Sequence, residues 1–398
     1  MPSNVDFKMR VAVVHDWLYI VGGAEQVLRE ILNCYPSADV FTLFDLLRPE
    51  DRRKLGFETS QTSFLQKLPF LKSHHRSYLP LMPLAIEQFD LSDYDLVISS
   101  SAAVAKGVIT GPNQLHVAYV HSPMRYAWDL QHLYLKESGC DTGIKSVIAR
   151  AILHQMRIWD ARTAHGPDAI FTNSRFVAKR IKKVCGRDAR VIYPPVTIPD
   201  RDTILPMGNH VPPVGNHFLA ASRLVPYKRI EPIIRAFNEM PDLELIVAGD
   251  GPEAERLKMI AGPNVKLAGF VPDQELRDLM ATARAFVFAA EEDFGIVLVE
   301  AQSEGAPVLA LGRGGARESI LGSGPRPTGM FFEKADPQSI AECVRSFVAN
   351  EKSISRLDCR QHATLFSAER FRNQFVAAVN EELERFRAGD HTSPRLVA

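Results

Sequence analysis

Two cations, two carboxylates and a histidine stand out by where they fall in this 398-residue chain. Arg223 and Lys228 follow the apolar run His217–Ala221 and precede Ile230, Ile233, Ile234 and Phe237, which are spaced as one face of a helix. A guanidinium fork and a mobile ammonium at a strand end and helix start can converge on one anion, a diphosphate above all. Two solvated surface cations are the plain alternative. Glu292 and Glu300 lie in the stretch AFVFAAEEDFGIVLVEAQ, residues 285–302. Here 285–290 reads as a strand buried on both faces. Phe294-Gly295 reads as a turn, and the helical pattern begins at Ile296 and Val297. Carboxylates beside exposed helix N–H groups suit a ligand with both hydroxyls and phosphates. A solvated acidic turn followed by a surface Glu is the plain alternative, and this spacing alone does not choose. His121 ends the apolar run 115–121 and opens His-Ser-Pro-Met-Arg-Tyr-Ala-Trp, with Arg125, Tyr126 and Trp128 suited to sugar stacking.

The elements that must place these residues alternate. In the first half, strands are expected at Val11–His15, 95–101, 115–121 and 168–173. Helices are expected from Ala24, with Val27, Leu28, Ile31 and Leu32 on one face, and from Arg175, with Ser174 as N-cap. In the second half, strands are expected at His217–Ala221, 243–248, Val265–Gly269, 285–290 and 307–311, and 367–390 reads as a terminal helix. The pattern divides into residues 1–197, a proline-rich linker at 198–215 and residues 216–366. This is an α/β chain of two Rossmann-like domains.

Three further stretches invite chemistry. Gly22-Gly23, between the first strand and first helix, can bring backbone N–H groups to a phosphate or act as a lid over it. A simple tight turn is the alternative. Gly249-Asp250-Gly251-Pro252-Glu253-Ala254 matches G-x-G-x-x-A, so NAD-dependent hydride transfer is the competing enzyme class. Its place in the third quarter of the chain and Pro252 at a helix start favour a structural turn. Asp93-Tyr94-Asp95 and Asp200-Arg201-Asp202 have the D-x-D form but precede a strand and sit in the linker, so neither is read as a metal site.

Composition narrows the class. Net charge is zero, yet residues 1–195 carry 24 Lys+Arg against 19 Asp+Glu and the remainder 23 against 28, which hints at an anionic partner for the first half. No basic-aromatic stripe points to nucleic acid. Five scattered cysteines without C-x-x-C suit a reducing compartment, and neither a signal peptide nor a membrane span is visible, so a cytoplasmic protein is expected. Residues 59–86 contain no acid and mix Phe64, Phe70, Leu71 and Leu81 with Lys67, Lys72 and Arg76. That suits peripheral contact with anionic lipid at the inner membrane face, or equally an insertion packing on its own domain. Pro69, Pro80 and Pro83 argue against one continuous helix.

Glu292, Phe294-Gly295 and Glu300-Ala301, with Arg223-x4-Lys228, Gly22-Gly23-Ala24-Glu25 and the loop after His121, resemble glycosyltransferase family 4, the retaining GT-B enzymes. The four motifs occur in the family's order over nearly the whole chain. The resemblance implies two Rossmann-like domains facing a central cleft, with donor held mainly by the second and acceptor by the first. It implies sugar transfer from a nucleoside diphosphate sugar to a glycan or polyprenyl-diphosphate-linked acceptor, with no cofactor and no metal. His121, Arg223, Lys228 and Glu292 would be the transfer-site residues. Gly22, Gly23, Val271, Phe294, Gly295, Ile296, Val297 and Glu300 would complete the donor site, and Arg125, Tyr126 and Trp128 would touch acceptor. The loop around His121 resembles bacterial O-antigen and exopolysaccharide mannosyltransferases, which implies GDP-mannose as donor. A UDP-sugar donor and a non-catalytic sugar-nucleotide sensor are the other readings.

Overall fold

A computed structural model describes residues 9–199 and 214–389. The expected linker and Asp200-Arg201-Asp202 therefore fall almost wholly outside the described residues. The chain divides into two compact units, one up to Pro195 together with the residues from Phe371 onward, the other Val196–Arg370.

In the first unit seven parallel strands form one sheet: β1 (Val11–His15), β2 (Asp39–Thr42), β3 (Gln61–Thr62), β4 (Leu96–Ser101), β5 (Leu115–Val120), β6 (Ala169–Thr172) and β7 (Arg190–Val191). Their order is β3-β2-β1-β4-β5-β6-β7, so the direction of winding reverses between β1 and β4. Period-two alternation sends Val11 and Val13 into one apolar cluster and Ala12 and Val14 into another, one on each face. A parallel sheet covered on both faces reads in sequence as a continuous apolar run, which is why β1, β4 and β5 are legible. The two-residue strands and β2 carry too few residues for that signal.

The second unit repeats the plan with β8 (His217–Ala221), β9 (Glu244–Ala248), β10 (Val265–Gly269), β11 (Phe286–Phe288), β12 (Val308–Leu311) and β13 (Gly329–Phe332). The order is β10-β9-β8-β11-β12-β13, with the reversal between β8 and β11. Phe218 and Ala220 face one cluster, Leu219 and Ala221 the other. Pro252 does not open a helix: that helix runs Ala254–Ile260 with Glu253 at its cap position.

The helix Ala368–Arg387 belongs to the first unit from Phe371 onward. It buries Phe371, Phe375, Ala378 and Val379 against β5 and β6, with Phe371 5.8 Å from the Tyr119 ring and Phe375 5.9 Å from that of Phe171. Each phenylalanine contributes about 1.5–3 kcal/mol by leaving water. Its polar anchor is Arg372, whose guanidinium donates to buried Glu30 at 2.5 Å. Burial raises the Glu30 carboxyl, but donors from Asn33, Arg372 and Arg29 outweigh it and hold the carboxyl below its ordinary range. Replacing Arg372 with Met should cost about 1–2 kcal/mol at pH 7, discounted for a guanidinium that is partly exposed. A depressed carboxyl stabilises the fold above its unfolded value of about 4.3, and that contribution is lost as the pH falls through the folded value. Urea denaturation should therefore show the gap between wild type and Arg372→Met narrowing below pH 4.

Candidate functional site

The functional candidates of each unit gather at the carboxyl ends of its strands, beside the order reversal, where open α/β sheets receive ligands. In the second unit, β8 leads to Arg223 and Lys228 and its neighbour β11 leads to Glu292. Lys228 Nζ lies 2.5 Å from Glu292 Oε1, and both side chains are mostly buried. The ammonium also sits over the Tyr227 and Phe288 rings, at 5.6 and 5.7 Å. Arg223 is exposed and has no side-chain partner among the described residues. One cation is thus restrained and the other is open to an anion.

Two glycine turns set these loops. Gly249 has φ +135°, and a Cβ there would stand 1.9 Å from the Ser222 carbonyl oxygen. The backbone of the 249–251 turn therefore lies directly against 222–224, tied by Leu224 N–H to the Asp250 carbonyl at 2.9 Å. A dinucleotide phosphate has no room in that turn, and the hydride-transfer reading loses its motif. On the other side Gly315 N–H donates to the Glu292 carbonyl at 2.9 Å, and a Cβ on Gly315 would stand 2.3 Å from Phe294 Cα.

Gly295, at φ +83°, turns the chain into the helix Ile296–Ser303, which has no side-chain cap. The N–H groups of Ile296 and Val297 have no partner among the described residues, leaving an anion-binding helix start. Phe294 itself is buried, edge-on to Phe366 at 5.4 Å, so its ring serves the core and not a ligand. Burial pushes the Glu300 carboxyl upward, with Arg277 nearby pulling it back, and the carboxyl has no partner among the described residues. Such a group wants hydroxyl donors. Val271 packs into the core, and it is its neighbour Phe270 that stands 78% exposed at the end of β10. The cavity of about 980 Å³ lined by Gly215, Arg284, Pro307 and Arg356 opens at the opposite, amino-terminal ends of the strands, away from all these groups.

In the first unit His121 follows β5 and is buried. Burial, with His15 nearby, lowers its pKa to about 3, so the ring is neutral at ordinary pH. Its Nε2 is 2.8 Å from Ser100 Oγ, which in turn is 3.1 Å from His15 Nδ1. His15 Nε2 faces Glu25 Oε1 at 3.6 Å, and Glu25 Oε2 accepts the Gly22 N–H at 2.8 Å. Sequence reading missed His15, Ser100 and the part played by Glu25. The signal was the register, since His15 and Ser100 are Cα partners of β1 and β4. Asp16 fixes that register by accepting four backbone N–H groups, from Ala102 to Ala105, at 2.5–2.9 Å. Gly22 and Gly23 begin the Gly23–Cys34 helix beside this chain of contacts.

The three acceptor candidates separate. Trp128 donates its indole N–H to Asp160 at 2.7 Å, and Asp160 also pairs with Lys106, so the indole N–H serves the fold and is withdrawn from sugar contact. Arg125 has partners within the chain. The Tyr126 hydroxyl is buried and unpartnered. Of the D-x-D pairs, Asp93 and Asp95 are taken by Arg10, at 3.2 Å from its guanidinium and 2.7 Å from its backbone nitrogen. Residues 59–86 form four short helical turns, with Leu65, Leu71, Met82 and Ile86 inward and Phe70, Leu81 and Leu84 exposed. No described helix is long and apolar enough to cross a membrane.

Comparison with known proteins agrees with this geometry. The family model Glycosyltransferase Family 4 matches residues 21–198, and Glycosyl transferases group 1 matches 210–365. A GDP-mannose-dependent monoacylated alpha-(1-6)-phosphatidylinositol monomannoside mannosyltransferase from Corynebacterium glutamicum is 32% identical over 138 residues, 31% of this chain and 35% of that protein. A D-inositol 3-phosphate glycosyltransferase from Mycobacterium sp. (strain KMS) is 29% identical over 195 residues, 44% of this chain and 43% of that protein. The chain thus spans less than half the length of each of these curated relatives. Among solved structures, Anabaena Alr3699/HepE in complex with UDP superposes with a TM-score of 0.66 at 19% identity, covering 94% of this chain and 100% of that one. That likeness shows the GT-B fold. With two family models that together cover most of its length, the chain belongs to glycosyltransferase family 4.

Proposed function

We propose that this chain transfers mannose from GDP-mannose, with retention at the anomeric carbon, to a glycan or polyprenyl-diphosphate-linked acceptor in bacterial polysaccharide synthesis. The observation that carries it is the constellation at β8 and β11: an open Arg223, Lys228 held by Glu292, and a helix start with two free N–H groups. A diphosphate entering there meets Arg223 and the N–H groups of Ile296 and Val297, and draws Lys228 away from Glu292. Glu292 is then released to accept hydrogen bonds from the sugar, while Glu300 takes the ribose hydroxyls. The bond from the anomeric carbon to the phosphate oxygen breaks as the acceptor oxygen bonds from the same face. The acceptor proton passes to the departing phosphate oxygen. Charge growing on the diphosphate is met by Arg223 and Lys228, so the step calls for no metal. Tyr126 and Arg125 are the acceptor contacts in this reading, and the neutral His121 ring serves a substrate hydroxyl. The mannosyl choice is supported by the relative named as GDP-mannose-dependent.

Two experiments test these points. In a melting-temperature panel without added metal, GDP and GDP-mannose should stabilise the chain, by about 2.7 kcal/mol at a hundred times Kd. A shift with UDP alone moves the donor to a UDP sugar, and a shift with NAD alone defeats the transferase reading. Binding without GDP release on addition of glycan acceptor would mean a sensor. For the acceptor side, residues 59–86 meet the membrane through Phe70, Leu81 and Leu84 beside Lys72 and Arg76. Sedimentation with vesicles containing phosphatidylglycerol should carry the wild type down and leave Phe70→Ser/Leu84→Ser in solution. Equal binding by both discards this contact.

A further inference from the structure

Glu25, His15, Ser100 and His121 come from the Gly23–Cys34 helix, β1, β4 and the loop after β5, and meet in a buried line. The order of atoms in it constrains protons. A serine hydroxyl has one hydrogen, so Ser100 can donate to only one of the two imidazole nitrogens beside it and must accept from the other. With one proton on each ring there are two arrangements, whereas a second proton on His15 would make its Nδ1 donate to Ser100 and leave the His121 proton on Nδ1. In the first, Ser100 donates to His15 Nδ1 and accepts from His121 Nε2–H, which puts the His15 proton on Nε2, pointing at Glu25 Oε1. In the second, the bonds reverse, and the bare lone pair of His15 Nε2 faces the carboxylate at 3.6 Å. In so dry a place that repulsion is costly, because all four side chains are nearly inaccessible to water. Glu25 cannot swing away, since its other oxygen holds the Gly22 N–H at 2.8 Å.

We infer that Glu25, His15 and Ser100 are positioning residues that lock His121 as the Nε2–H tautomer, so that its Nδ1 presents a lone pair as hydrogen-bond acceptor to a substrate hydroxyl. Nδ1 has no partner among the described residues, and the ring is otherwise fixed. The His121 backbone N–H donates to Ser101, its carbonyl accepts from Asn173 Nδ2 at 2.9 Å, and its ring lies edge-on to Tyr119 at 5.2 Å. The network also joins that nitrogen to the Gly22-Gly23 turn, so a ligand that shifts the turn would be felt at His121 through Glu25. The locked tautomer is a property of the chain alone; the hydroxyl it serves rests on the transferase reading above.

The test is a long-range proton–nitrogen NMR spectrum of the ligand-free chain labelled with ¹⁵N-histidine. It is recorded at pH 8, and His121 is assigned by its loss in His121→Asn. The expected pattern is a protonated Nε2 and an unprotonated Nδ1. Ser100→Ala and Glu25→Gln should each give a mixture of tautomers, while Ser100→Thr, which keeps the hydroxyl, should keep the wild-type pattern. Glu25→Gln leaves the strands untouched and covers the case in which Ser100→Ala folds poorly. In turnover, Ser100→Ala should lose roughly tenfold in kcat/KM, the worth of one hydrogen bond, with Ser100→Thr restoring most of it. A protonated Nδ1 in the wild type, or a tautomer unmoved by both variants, overturns the inference. Because the spectrum needs no ligand, it decides the tautomer whatever nucleotide the protein takes.

Discussion

Backbone lying on backbone is the constraint on which the second unit's site depends. Gly249 rests on the Ser222 carbonyl, and Gly315 rests on Phe294, at separations that any Cβ would violate. These contacts clamp the loops after β8 and β11 from outside. Arg223 and Glu292 thus each project from a segment backed by a neighbouring loop. The Lys228–Glu292 pair then closes the space between them. Burying that pair costs desolvation, and two aromatic rings beneath the ammonium recover part of it. A ligand with a diphosphate and hydroxyls can replace each half of the pair with a partner of its own.

The first unit solves a similar problem with hydrogen bonds in place of glycines. Asp16 gathers four N–H groups from the segment after β4, which holds that segment against the end of β1. The His15–Ser100 register follows, and with it the orientation of His121. Both units thus spend their polar contacts at one edge of a parallel sheet. The apolar alternation beneath, Val13 to one face and Val14 to the other, supplies the rigid base.

Much of this was legible in the chain, for identifiable reasons. Strands buried on both faces announce themselves as apolar runs, and Gly295 before a helical pattern announces an uncapped start. The Arg223–Lys228 spacing and the strand-end place of Glu292 were equally visible. What escaped depends on partners distant in sequence. Nothing in the sequence around Trp128 shows that its indole N–H is taken by Asp160, 32 residues later. Val271 looks like a loop residue until the fold turns it inward and leaves Phe270 outside. Ser100 sits in an ordinary Ser-Ser-Ser run, and only the pairing of β1 with β4 gives it two histidines. β13 begins at Gly329, beneath which a Cβ would meet the Val308 carbonyl at 2.0 Å, so it has no apolar run to mark its start.

On this geometry a diphosphate would be bound through Arg223 and the helix start at Ile296. Calorimetric titration of GDP and of guanosine into wild type and Arg223→Ala tests it most directly. The account predicts that the wild type prefers GDP strongly, and that the variant loses about tenfold or more of GDP affinity while guanosine is unchanged. Equal GDP affinity in the two proteins would contradict it.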